Sequence, residues 1–292
     1  VIVTGSRWIW QGILGVLLAG TIVAVSSRGV TEMLLGALGP TPNYRRKPVA
    51  FPAGLVVAVG TITAPILLRL CSGVEEDQLR RTGSFLLLTS GFALAGFVDD
   101  MLGGHSQSGF AGHLGALRQG VFTTGMFKVV FGGAISLGTV ELLGPGAVGL
   151  MVVLDAMLIA LSANLVNLLD RRPGRATKGF LLGFALLGVW LWTKERASGL
   201  GRLLNPAGSA LGAAIAFFPS DLRERAMLGD TGSNVLGAAL GYGMLQLAPA
   251  WRVAVLAALV WLTLVSERRS FGEIIEGSKL LRFLDGLGRV NR

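Results

Sequence analysis

"GSFLLLTSGFALAGFVDD", residues 83–100, runs uncharged from Gly83 to Val98 and then sets two carboxylates side by side. As a helix rising about 1.5 Å per residue, a run of that length crosses most of a hydrocarbon core of roughly 30 Å. Two adjacent carboxylates repel, and each costs several kcal/mol if carried into hydrocarbon. A span that ends in Asp99-Asp100 therefore points to a cation or a proton-transfer task at the water boundary. A solvated helix end is the plainer reading, and the pair alone does not separate the two.

Runs of the same kind recur along all 292 residues. The chain is 52% hydrophobic with only 15% charged residues, against a usual quarter, and its mean hydropathy is +0.64. These features predict an all-α, polytopic membrane bundle. Nine spans are expected, at 8–26, 48–70, 83–98, 119–141, 147–169, 179–193, 203–218, 232–248 and 251–266, in one domain covering 1–292. Gly is 43 of 292, about twice the average share, as close helix approach in lipid requires. The stretch Phe271 to Leu287 spaces Phe271, Ile274, Ile275, Leu281 and Leu284 among basic residues and predicts an amphipathic interfacial helix. The first run follows Arg7 and superficially resembles a secretory signal. It is long for one, and Ala24-Val25-Ser26 is a weak cleavage site, so it reads as a retained helix.

With the N-terminus outside, 17 of the 26 Lys and Arg fall on the inner side and 8 on the outer, with Lys128 inside a span. The positive-inside rule then sets the orientation. Basic residues flanking spans beside anionic lipid account for the net charge of +9, and no nucleic-acid partner is needed. The single cysteine, Cys71, excludes an internal disulfide and a multi-thiolate metal site. The threading also brings four polar segments, remote in sequence, to one membrane face: Pro42 to Lys47, Asp99-Asp100, Asn164 to Asp170 and Leu228 to Asn234.

In "NLVNLLD", Asn164, Asn167 and Asp170 recur every three residues and share one helix face, which suits a hydrated polar pocket. In "MLGDTGSN", Gly229 and Gly232 flank Asp230 just before a helix that Thr231 or Ser233 could cap. Exposed amides there would favour an anion such as phosphate, and Asp230 a hard cation.

Together these segments resemble the polyprenyl-phosphate N-acetylhexosamine-1-phosphate transferase family. "PNYRRKPVAFPAG" (42–54) is similar to the family's first inner loop, Asp99-Asp100 to its paired aspartates, "NLVNLLD" to its Asn-x-x-Asn-x-x-Asp segment and "LGDTGSN" to its Gly-Asp-x-Gly-Ser segment. "SFGEIIEGSKLLRFLDGLGR" is similar to its tail. The resemblance implies Mg2+-dependent transfer of a sugar-1-phosphate from a UDP-sugar to polyprenyl (undecaprenyl) phosphate, for envelope glycan synthesis. The active face is then that of the cytoplasmic membrane, with Mn2+ able to stand in for Mg2+ and a homodimer among the assemblies allowed. It implies Asp230 as first metal ligand, Asp99 and Asp170 as second ligand or base, and Asp100 as support within the catalytic group. Asn43, Asn164, Asn167, Ser233 and Lys128 would bind substrate; for Lys128, snorkelling to the interface is the competing reading.

The chain departs from that pattern in two places. Pro173 stands where a further aspartate is common, and "SERRSFGE" replaces a histidine-rich loop. Arg268 and Arg269 could bind a diphosphate there bidentately. The two histidines, His105 and His113, sit eight residues apart in a Gly/Ser-rich loop and fit no short metal motif. The alternative is a lipid-phosphate-binding scaffold that keeps the fold without turnover.

Overall fold

The computed structural model describes residues 2–72, 75–103, 112, 115–116, 118–144 and 149–289, with side chains from residue 7 onward. His105 and His113 lie outside the described residues. The described chain is helical apart from one small hairpin. Its elements are α1 (Ile2–Leu38), β1 (Thr41–Pro42), β2 (Pro48–Val49), α2 (Gly54–Cys71), α3 (Glu76–Leu102), α4 (Thr124–Leu143), α5 (Leu150–Leu169), α6 (Arg175–Leu222), α7 (Gly229–Met244), α8 (Pro249–Arg268), α9 (Phe271–Gly277) and α10 (Lys279–Gly286). Seven of these helices are long and apolar enough to cross a membrane: α1, α2, α3, α4, α5, α6 and α8.

The 48 residues of α6 would reach roughly 70 Å if straight. They do not run straight. Arg196 and Asn205 leave helical geometry, Thr177 near the start bonds Asp221 near the end at 3.3 Å, and Gly188 lies against Leu200 and Leu203. The helix is folded back into two antiparallel passes, as the expected spans at 179–193 and 203–218 require. With α7, which is shorter than a full span but almost wholly buried, the described chain makes nine passes.

Packing directions agree with strict alternation. Helix α1 runs antiparallel to α2, with Gly15 against Leu68 and Gly60 against Val23, and parallel to the second half of α6. In that second pair Gly12 meets Leu204 and Gly20 meets Gly212. A Cβ on Gly212 would enter the α1 backbone at Val16, so only glycine permits this approach. Helix α7 lies antiparallel to α5, where Gly237 meets Ala163 and Gly241 meets Ile159. Lipid-facing leucines stay exposed, among them Leu17, Leu94, Leu186 and Leu264. The core between helices is built from Phe85, Phe180, Phe217, Leu158 and Leu236.

Two boundaries differ from expectation. Helix α1 does not stop at residue 26 but continues through "SRGVTEMLLGAL" to Leu38, because Ser27 and Thr31 bond back to carbonyls four residues earlier and Arg28 pairs with Glu32 at 2.8 Å. The expected C-terminal amphipathic helix is split at Ser278. Ser270 accepts from Glu273 N at 3.2 Å and starts α9; Ser278 ends it and accepts from Leu281 N at 3.4 Å, starting α10.

Candidate active site

Alternation places the end of α3, the start of α4, the end of α5, both termini of α6 and the start of α7 at one end of the bundle. There they enclose a cleft of about 170 Å³ whose walls include Asp100, Asp170, Asp221 and Asp230. Two loops form its rim. Residues 41–53 are zipped onto residues 226–228 through Met227 N to Ala50 O (3.0 Å), Ala53 N to Met227 O (2.9 Å) and Gly54 N to Leu228 O (2.9 Å).

Asp99 and Asp100, adjacent in sequence, take different tasks. Asp99 Oδ2 pairs with Lys128 Nζ at 2.8 Å, and the same ammonium pairs with Asp230 Oδ2. Lys128 therefore bridges the second and fourth of the polar segments and does not snorkel. Asp100 accepts from Asp230 N (2.8 Å) on Oδ1 and from Thr231 N (2.8 Å) and Thr231 Oγ1 (2.6 Å) on Oδ2. This corrects two expectations about α7. Its first amides are not open to a phosphate, and neither Thr231 nor Ser233 caps it, since a carboxylate from α3 occupies that position. Ser233 Oγ instead accepts from Asn167 Nδ2 at 3.2 Å, which ties α5 to α7. The approach of α3 to α7 depends on Gly96, whose absent side chain leaves room for the Asp230 carbonyl.

Asp170 stands just past the end of α5. Burial pushes its carboxyl well above the ordinary value, and the nearby carboxylates of Asp221, Asp230 and Asp100 push it further. A hydrogen bond from Gly229 N acts in the opposite direction. Asn164 lies half-buried two turns inside α5.

Asn43 shapes the rim. Its Oδ1 accepts from Arg45 N (2.8 Å) and Lys47 N (3.0 Å), and its Nδ2 donates to Glu224 Oε2 (3.2 Å). Glu224 also accepts from Tyr44 Oη at 3.2 Å and pairs with Arg45 and Lys47. Burial opposes the charge on Glu224, but Arg45, Asn43 and Lys47 together hold its carboxyl below the ordinary value. Arg268 and Arg269 are not brought to the cleft; both are exposed at the end of α8. Basic charge comes instead from Arg171 and Arg172, which line the cleft beside Pro173, and the Arg172 guanidinium lies 4.4 Å from the Tyr44 ring centroid.

Sequence reasoning missed Asp221, Glu224, Arg171 and Arg172. The first two lie in "FFPSDLRERAMLGD", where a carboxylate closing an apolar run just before Asp230 was the available signal. The tail was assigned to the interface but not to the site. Arg175 makes a double hydrogen bond to Asp285 (2.9 and 2.8 Å), and Arg289 donates to Asp285 (2.7 Å) and to the Pro173 carbonyl (2.9 Å). The tail is thus fastened to the loop that carries Arg171 to Pro173.

The donor set is oxygen only, which suits a hard divalent cation better than a soft one. Among the described residues no three acidic, histidine or cysteine side chains stand grouped as a metal shell. The Lys128 ammonium lies between Asp99 and Asp230. A magnesium site needs only one or two protein carboxylates, so the residues fit such an ion.

Comparison with known proteins places the chain in a family. The chain is 29% identical over 209 residues to the phospho-N-acetylmuramoyl-pentapeptide-transferase of Maricaulis maris (strain MCS10), a match covering 62% of this chain and 56% of that protein. The chain thus spans little more than half the length of that relative. The family model for glycosyl transferase family 4 matches residues 82–248, more than half of the chain, from α3 through α7. With the carboxylates of α3, α5 and α7 all inside the matched region, the chain belongs to glycosyl transferase family 4.

Proposed function

We propose that this chain is a membrane phosphotransferase that moves a sugar-1-phosphate from a nucleotide sugar, a UDP-sugar by resemblance, to a polyprenyl phosphate at the cytoplasmic face. The observation that carries the reading is the convergence of Asp100, Asp170, Asp221 and Asp230, from four helices remote in sequence, on one cleft. The cleft's position at a bundle end, beside lipid-facing helices, suits an acceptor whose tail stays in the bilayer.

In the reaction an oxygen of the lipid phosphate attacks the β-phosphorus of the nucleotide diphosphate sugar. The bond from that phosphorus to the bridging oxygen breaks, and the nucleoside monophosphate leaves with the electron pair. The work asked of the protein is to position two anions and neutralise the charge that develops. Asp230, with Asp99 or Asp170, would hold Mg2+, which when bound supplies Lewis-acid stabilisation of the phosphate oxygens. Lys128 sits where it can turn from the carboxylates to a phosphate oxygen. Arg171 and Arg172 offer planar donors for the diphosphate from the rim. Asp170, whose carboxylate is made more basic by burial and by its acidic neighbours, would in its ionised form take the proton of a lipid phosphate monoanion. Asp100 positions the start of α7 from the cleft wall.

The test is to incubate purified protein with Mg2+, polyprenyl phosphate and a panel of nucleotide sugars, and to measure released nucleoside monophosphate. Release that stops with chelator and in Asp99→Asn and Asp230→Asn supports the assignment. Pro173, in place of a carboxylate at the cleft wall, favours a second reading. Under it the chain binds lipid phosphate without turnover, and no release across the panel with lipid phosphate still bound would identify that case.

A further inference from the structure

At the opposite end of the bundle a second cavity, of about 280 Å³, is walled by Arg81, Leu143, Arg202, Tyr242, Leu245 and Gln246. Arg81 lies 19 residues before Asp100 on α3, which at helical rise places it roughly 28 Å from the carboxylate cleft. The two sites are therefore separate.

The lining has the composition of a ligand site. Two guanidinium groups face it, and each is engaged by one carboxylate: Arg81 Nε donates to Asp77 Oδ2 at 2.8 Å, and Arg202 pairs with Glu195. Arg80 also reaches Asp77, at 3.9 Å. A guanidinium has several N–H donors in a fork, and one carboxylate contact leaves others for a second anion. The Tyr242 hydroxyl donates to Arg81 O at 2.9 Å and holds that residue's backbone at the wall.

Gln246 Oε1 is buried with no hydrogen-bond partner among the described residues. A buried polar atom left unpaired costs about 1–3 kcal/mol, so it calls for a donor. The Gln246 side chain also lines the cavity and so offers a polar group beside the two guanidiniums. Leu143 and Leu245 supply an apolar wall, and the neighbouring Leu142 is 44% exposed on the lipid-facing side.

We propose that this cavity binds a phosphate group with a hydroxyl beside it, the chemistry of a glycerophosphate headgroup. The phosphate lies between Arg81 and Arg202, the hydroxyl meets Gln246, and the glycerol backbone rests on Leu143 and Leu245. The helices that line the cavity carry Asp99 and Asp100 (α3), Lys128 (α4), Asp221 (α6) and Asp230 (α7) toward their other ends. Occupancy therefore braces the four elements that build the cleft, and it raises thermal stability.

The experiment uses the full chain in detergent and measures binding and unfolding midpoint with phosphatidylglycerol, phosphatidylcholine and free glycerophosphate. Phosphatidylglycerol is expected to bind at least tenfold more tightly than phosphatidylcholine, which lacks the hydroxyl and the net charge, and to raise the midpoint. Arg202→Gln and Gln246→Glu are each expected to elute as folded protein, to weaken that binding at least tenfold and to lose the rise in midpoint on lipid addition, measured against each variant's own lipid-free midpoint. If one variant fails to fold, the other decides. Displacement by free glycerophosphate supports recognition of the phosphate end. Saturation by free glycerophosphate without competition from lipid supports the anion site with a soluble source. Equal binding of the two lipids, or variants that bind phosphatidylglycerol as the unmodified chain does, would overturn the proposal.

Discussion

The carboxylate of Asp100, near the end of α3, accepts the backbone N–H of Thr231 at 2.8 Å from 131 residues further along the chain. One side chain thereby sets the start of α7, and with it the place of Asp230. It also separates the two adjacent aspartates by task, since Asp99 is left to face Lys128.

Asp100→Ala should remove the acceptor for three hydrogen bonds and leave amides at a half-buried helix start unpaired. A loss of about 2–4 kcal/mol is expected, with activity falling at least a hundredfold because Asp230 moves with α7. Asp100→Asn, which keeps one oxygen acceptor, should lose less of both. Thermal unfolding in detergent and product formation, measured on the same samples, check this. Equal stability of Asp100→Ala and the unmodified chain would refute it.

Lys128→Gln takes away the cation shared by Asp99 and Asp230, whose side chains are about one quarter exposed. Between the surface and buried limits for such pairs, about 1–3 kcal/mol of stability should go. Added Mg2+ should restore more of the unfolding midpoint in this variant than it adds to the unmodified protein, because two facing carboxylates are then free. A midpoint insensitive to Mg2+ in Lys128→Gln would count against the carboxylates as metal ligands.

Gly96→Ala places a methyl group against the Asp230 carbonyl and Thr231 amide. Helices α3 and α7 must separate by some tenths of an ångström, at about 1–3 kcal/mol. The catalytic rate should fall more than the affinity for nucleotide sugar, since Asp99 and Asp230 lose their relation while the rim stays in place. A kcat and KM comparison decides; unchanged kcat would remove Gly96 from this account.

Asp285 offers a pH test outside the spans. Burial raises its carboxyl, but the hydrogen bonds and charge of Arg175, with the charge of Arg289, outweigh burial and hold it below the ordinary value. A depressed folded pKa stabilises the docked tail at every pH above the unfolded value of about 3.9, and that stabilisation is lost as pH falls through the folded pKa. Amides of residues 279–289 should exchange slowly near neutral pH and, after correction for intrinsic rates, lose protection only in acid. Asp285→Asn should show the fast rates already near neutral pH and raise KM for the nucleotide sugar, because Pro173 loses its hold through Arg289. Protection in the unmodified chain that persists far below pH 3.9 would be the contrary result.

Much of the site was legible because its signals are local. Asp99-Asp100, the Asn164 to Asp170 spacing and the glycines around Asp230 each stand at the end of an apolar run, and a charge at a span boundary is rare enough to be noticed. Asp221 and Glu224 carried a weaker signal, a carboxylate closing an apolar run. They lie among Arg223 and Arg225 in a stretch whose composition is that of any solvated loop, and only the fold-back of α6 brings Asp221 beside Asp170. Arg171 and Arg172 read as flanking charge for the same reason, until the tail fastens their loop over the cleft.

From its sequence alone this protein was already a nine-pass helical bundle with its acidic segments gathered at one end, because hydrocarbon admits only long apolar helices and strict alternation then dictates which ends meet. Which carboxylate bonds a backbone, which pairs with Lys128 and which is crowded by its own kind was decided by the tertiary structure alone. Those outcomes depend on contacts between side chains and backbone of different helices, set by glycine contacts whose depth no spacing in the sequence records.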